Sequence, residues 1–141
     1  MTRFEMKDKN CTTYTYNVKD LMKKEVLALI CDILRDDDIQ GHGLILTQPL
    51  EEKDWPGITK EIPYNPVAAE FAEDYENVPL TCVTAIMEYH GQSMMLSYHP
   101  EQNLLSVILP AEFTADINEI EQNVIPDVID QNPEEESVEE Y

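Results

Sequence analysis

The chain has 141 residues, 43% of them hydrophobic, and sets 29 Asp and Glu against nine Lys and Arg for a formal charge of −20. That hydrophobic share is near the soluble-protein average, which excludes wholesale disorder, and the length suits one domain with a real core. The charge excludes direct binding to nucleic acid or to an anionic membrane, because affinity for phosphates is supplied largely by Lys and Arg.

The first residues lack the apolar run of a signal peptide, and no stretch approaches the roughly 20 apolar residues of a membrane span, so a soluble, cytoplasmic protein is expected. Cys11, Cys31 and Cys82 form no CxxC pair and read as free thiols that serve as small buried hydrophobes. Thr12 to Tyr16 is β-branched and aromatic and predicts a short strand. Asn17 suits an N-cap, with Asp20 as an imperfect capping-box partner. From Val18 to about Arg35, the residues Val18, Leu21, Met22, Val26, Leu29, Ile30 and Ile33 recur at helical spacing and predict the main core helix.

That helix should end at Asp36-Asp37-Asp38, ahead of Gly41 and Gly43. The acidic run has the early oxygen donors and the glycine of an EF-hand loop, but its twelfth position is Thr47 rather than a bidentate Glu, so it reads as a capped turn. Leu44 to Thr47 predicts a short strand. Pro49, Pro56, Gly57, Pro63 and Pro66 then punctuate an irregular crossing, in which the lone Trp55 reads as a ring tucked over a loop.

Asn65 and Pro66 fit the start of a short helix, in which Val67, Phe71 and Tyr75 form the buried stripe and Glu70, Glu73, Asp74 and Glu76 an anionic solvent face. Val83, Ala85, Met87 and Tyr89 alternate with polar residues, Gly91 opens a tight turn into Met94, Leu96 and Tyr98, and a second turn at Pro100 to Asn103 leads into Leu104 to Leu109. The expectation is a three-stranded antiparallel meander. Phe113, Ile117, Ile120 and Val124 predict a last helix with Glu112, Asp116, Glu119 and Glu121 on its other faces. Residues 132–141 hold five Glu in ten and predict a disordered acidic tail. The predicted fold is therefore α+β: one domain over residues 1–131, a three-stranded meander packed by about three helices.

Residues 1–60 hold all nine cations against eleven acids, whereas residues 61–141 hold eighteen acids and no Lys or Arg. Self-repulsion of that kind lowers the stability of the compact state, so it should persist only where it serves solubility, steering or recognition. Catalytic chemistry has thin candidates. The chain has three histidines, no cysteine in positive surroundings and no Gly-rich phosphate loop, and paired carboxylates discriminate nothing among 29 acids. No enzyme activity, cofactor or metal is expected.

The expected function is that of an acidic inhibitor that occupies the basic nucleic-acid-binding surface of a DNA- or RNA-processing protein, a DNA mimic comparable in size and charge to small anti-defence inhibitors of phages and mobile elements. Two alternatives stand beside it: an immunity- or antitoxin-type plug of one basic active site, and an acidic adaptor without inhibitory role. The candidate contacts are Glu70, Glu73, Asp74 and Glu76 on the short helix and Glu112, Asp116, Glu119 and Glu121 at the last one. The hairpin meander should share this anionic face. Monomer and small homo-oligomer both stay open, repulsion between two −20 subunits opposing a dimer unless a dedicated apolar patch exists.

Overall fold

A computed structural model describes residues 3–48, 58–63 and 67–131. Strands β1 (Arg3–Lys7) and β2 (Cys11–Asn17) pair antiparallel. The Asp8 carboxylate closes their turn by accepting from the N–H groups of Asn10 at 2.7 Å and Cys11 at 2.9 Å.

Helix α1 (Lys23–Leu34) starts later than the periodicity predicts. The Asn17 carboxamide accepts from the Lys19 N–H at 2.8 Å and makes a local turn instead of a helix cap, a competition open to Asn side chains. Val18 is buried outside the helix, and the Glu25 carboxylate caps α1 by accepting from the Met22 N–H at 2.7 Å. The acidic run after α1 is a capped turn: the Asp36 carboxylate accepts from the Asp38 N–H at 2.8 Å, and the Ile39 N–H reaches the Asp36 carbonyl at 3.0 Å.

β3 (Ile39–Gln48) then pairs with β4 (Ile58–Pro63), a strand that lies inside the crossing predicted to be irregular. Trp55, Asn65, Pro66 and the tail 132–141 lie outside the described residues. α2 (Ala68–Tyr75) follows. Next come β5 (Cys82–Tyr89), β6 (Gln92–His99) and β7 (Leu104–Pro110). His90 and Gly91 between β5 and β6 have φ of 51° and 80°, the left-handed pair that a two-residue hairpin turn demands.

α3 (Ile117–Asn123) and α4 (Pro126–Gln131) end the described chain. α3 is the predicted last helix, begun at Ile117 rather than near Phe113, and α4 is an additional helix opened by Pro126, whose missing N–H and fixed φ suit a first position.

The α+β class holds, but the sheet has seven strands rather than three, in the order β1-β2-β7-β6-β5-β3-β4, with every neighbouring pair antiparallel. The difference arises from β2 pairing with β7 and β3 with β5, across gaps that contain whole elements. Local alternation can announce a hairpin; it carries no trace of a partner 90 residues away.

Side chains alternate across a strand, and in this sheet the two sides have different fates. Val83, Ala85, Met87 and Tyr89 of β5 are buried, and register places Tyr98, Leu96 and Met94 of β6 and Leu105 and Val107 of β7 on the same side. Tyr16, Leu44 and Leu46 extend that core layer.

All four described helices lie on this side. α1 descends onto β3 at Gly41, where a Cβ would fall 2.9 Å from Leu34 Cδ2, so only glycine permits the approach. α2 rests on α1, its Tyr75 hydroxyl accepting from Lys60 Nζ of β4, while the Lys23 ammonium at the start of α1 donates to the Val78 carbonyl beyond α2. α3 is tied down through Tyr16 and Tyr89, and α4 packs beside it with Val128 fully buried. Among the described residues no helix or strand covers the opposite side of the sheet. No helix there is long and apolar enough to cross a membrane.

Candidate functional site

Charge in this molecule follows the architecture. Among the described residues only three acids, Glu5, Glu61 and Glu88, lie in strands, and β2, β6 and β7 contain no Asp, Glu, Lys or Arg at all. The expectation that the hairpin meander shares the anionic face is thereby corrected: β5 to β7 hold one acid, Glu88, with Glu101 in a turn. The reason is sheet position. These strands are central, their inner side is core, and an ionised side chain there would lose its hydration.

The acids gather instead on the helices and turns of the covered side. On α2, Glu70, Glu73 and Asp74 are exposed at i, i+3 and i+4, a spacing that brings Cβ atoms to about 5–6 Å on one helix face. Glu76 is the C-cap and half-buried. No basic residue occupies the last turn of any of the four described helices, although the carbonyl end of a helix favours cations. Asp74 and Glu76 at the α2 C-terminus therefore stand against the local electrostatic preference.

The second predicted group is put to structural use. Asp116 is the N-cap of α3, its carboxylate accepting from the Glu119 N–H at 3.0 Å. Glu119 accepts from the Tyr89 hydroxyl at 2.7 Å, and Asn123 donates to the same hydroxyl at 3.0 Å. Glu121 accepts from Arg3 at 2.7 Å and from the Tyr16 hydroxyl at 2.9 Å, with its side chain only 13% exposed. Burial first, and then this bond, hold the Tyr16 hydroxyl well above the usual phenol range. Asp116 is exposed although it caps α3, and Glu112 is exposed beside a hollow of about 220 Å³. The structure thus separates the eight predicted contacts: α2 rests on α1, α3 packs with α4, and the freely presented acids are Glu70, Glu73 and Asp74 on one helix and Glu112 on a connection.

The bare side of the sheet, which the sequence reading did not single out, is a second candidate surface. Ile86, Met95, Ile108, Thr13 and Met6 lie opposite one another in consecutive strands, a mainly apolar row interrupted by the Thr13 hydroxyl. Beside it runs a hydroxyl row, Thr84, Ser97, Ser106 and Thr15, in which Thr15 and Ser106 are hydrogen-bonded at 2.9 Å, ending in Phe4. Cys82 Sγ lies 3.2 Å from Ser97 Oγ, which is 3.3 Å from His99 Nε2. A thiol, a hydroxyl and an imidazole thus stand in line on the open face. Cys82 has neutral neighbours there, not the anionic surroundings that its sequence context implies.

His42, in the β3 bulge between Gly41 and Gly43, meets Glu88 at 3.1 Å and lines a hollow of about 330 Å³ with Ile45, Glu61 and Ile86. Among the described residues no three His, Cys, Asp or Glu side chains converge as metal ligands. Comparison of the chain with protein-family models, curated proteins and solved structures found no match.

Proposed function

We propose that this chain is a protein-binding inhibitor whose acidic, helix-covered side occupies the basic nucleic-acid-binding surface of a DNA- or RNA-processing protein. The observation that carries the reading is the sorting of charge: among the described residues three acids lie in strands, while Glu70, Glu73 and Asp74 stand exposed together on α2. Carboxylates held on a folded helix present a preformed potential, and complementary potentials raise association rates to roughly 10⁸ M⁻¹s⁻¹ or more at low salt. Acids kept at the α2 C-terminus against the helix dipole support a role in recognition, since stability alone would favour Lys or Arg there.

A second reading, a plug of a single basic active site, is favoured by the compactness of the α2 group. The two differ in what competes. Host lysate is passed over the immobilised chain and over a Glu70→Lys, Glu73→Lys, Asp74→Lys variant, and retained proteins are challenged with a short DNA duplex. A nucleic-acid-binding protein held by the native chain, released by duplex and lost with the variant is the expected result. A partner lost with the variant but indifferent to duplex favours the plug, and a partner retained equally by both chains contradicts the proposed docking side.

A further inference from the structure

We infer that the bare side of the sheet is where a second copy of this chain docks, sheet against sheet, independently of the partner proposed above. Three observations lead there. The first is apolarity in an otherwise intensely acidic molecule: the apolar row across β5, β6, β7, β2 and β1 lies on this side, and Phe4 and Met6, 61% and 73% exposed, are two of four large hydrophobic residues left in solvent among those described. A dedicated apolar surface of this kind marks an interaction site.

The second is charge. Only two acids, Glu61 and Glu88, lie on this side within the strands, and Glu88 is already against His42 at 3.1 Å. A basic partner finds almost nothing to pair with, whereas an identical, nearly uncharged face meets little repulsion. Stacked sheets sit about 10 Å apart and a helix is about 10 Å across, so the acids on the outer sides of two facing copies would be roughly 40 Å from one another. That is several times the screening length of about 8 Å at physiological salt, so the acids carried by the described helices do not oppose association.

The third is area. Seven strands of five to ten residues at about 4.8 Å spacing and about 3.3 Å rise per residue give a face roughly 30 Å by 20 Å. Two copies would bury on the order of 1,200 Å² between them, the lower bound of a specific, stable interface. β6 is the middle strand of the seven, so Met95, which faces outward on it, lies near the centre of the buried area.

The test is sedimentation velocity on the full chain across a concentration series at low and at high salt, comparing native protein with Met95→Arg and with Glu73→Lys, folding being checked by circular dichroism. The native chain should populate a species of twice the monomer mass, somewhat more readily at high salt as residual repulsion is screened. Met95→Arg should weaken that association at least about thirtyfold, as loss of a central interface residue does. Glu73→Lys should leave it within a few-fold. If Met95→Arg does not fold, Ser93→Arg, at an exposed position on the same side of β6, supplies the readout. A native chain that stays monomeric into the sub-millimolar range overturns the inference, as does a dimer indifferent to a folded β6 variant or one lost with Glu73→Lys.

Discussion

The two sides of the sheet are built from the same strands yet present opposite chemistry. The covered side buries Leu96, Val107 and Met87 beneath the four described helices, whose outer surfaces carry acids. The bare side alternates with it, residue by residue, and presents half-exposed methyls and a thioether, with the Ser97 and Ser106 hydroxyls buried between them and almost no charge. The lesson is that, among the described residues, the acids are concentrated on one side of the sheet, and the two sides suit partners of different kinds.

Cysteine reactivity gives the widest contrast between them. Cys31 is fully buried under the helices, and burial followed by the nearby Asp32 charge pushes its thiol up to about 12, against an ordinary 9.0, whereas Cys11 and Cys82 are half-exposed on the bare side. At pH 8 a thiol reagent should modify the half-exposed Cys11 and Cys82 and leave the buried Cys31 largely unmodified until denaturant is added. Equal rates at all three would show that the covered side is loosely packed. The raised Cys31 and Tyr98 values, both about 12, also have a pH consequence. The unfolded chain ionises first, so stability is complete below about pH 9 and falls as pH rises toward 12, which thermal melts across that range would measure.

Leu96→Ala attacks what the two sides share, the middle of the central strand. It should cost about 2–5 kcal/mol in denaturant unfolding, and a much smaller loss would mean that the site collapses around the gap. Tyr16→Phe should cost about 1–3 kcal/mol because it removes one of the two donors to Glu121. The same variant should leave partner binding intact, since Glu121 is engaged within the molecule, and a binding defect at full stability would return Glu121 to the docking surface. Glu76→Lys should do the reverse on α2, stabilising by about 0.3–1 kcal/mol through the helix dipole while slowing association with a basic partner.

The elements legible in the sequence were those with local signatures. Alternation from Val83 to Tyr89 with the turn at Gly91 announced β5 and β6, and the apolar spacing through Val26, Ile30 and Ile33 announced α1. β4 was illegible because Pro63 and the flanking prolines mask a six-residue strand, and β1 because its residues, Arg3 to Lys7, are mixed in character and paired only at one edge. The candidate acids on α2 were readable from helical spacing alone. The engagement of Glu119 and Glu121 was not: their partners Tyr89, Tyr16 and Arg3 lie 30, 105 and 118 residues away, and nothing local foretells such contacts. Recognition of the bare side required the sheet order, since the rows that compose it run across strands and never along one.

The sidedness of charge is tested most directly by carboxylate footprinting with a carbodiimide and an amine, read by mass spectrometry, on the chain alone and saturated with the partner captured from lysate. Protection confined to Glu70, Glu73 and Asp74, with Glu88 labelled equally in both samples, is the predicted outcome. Protection of Glu61 and Glu88 on the bare side with the α2 carboxylates unchanged would contradict the account.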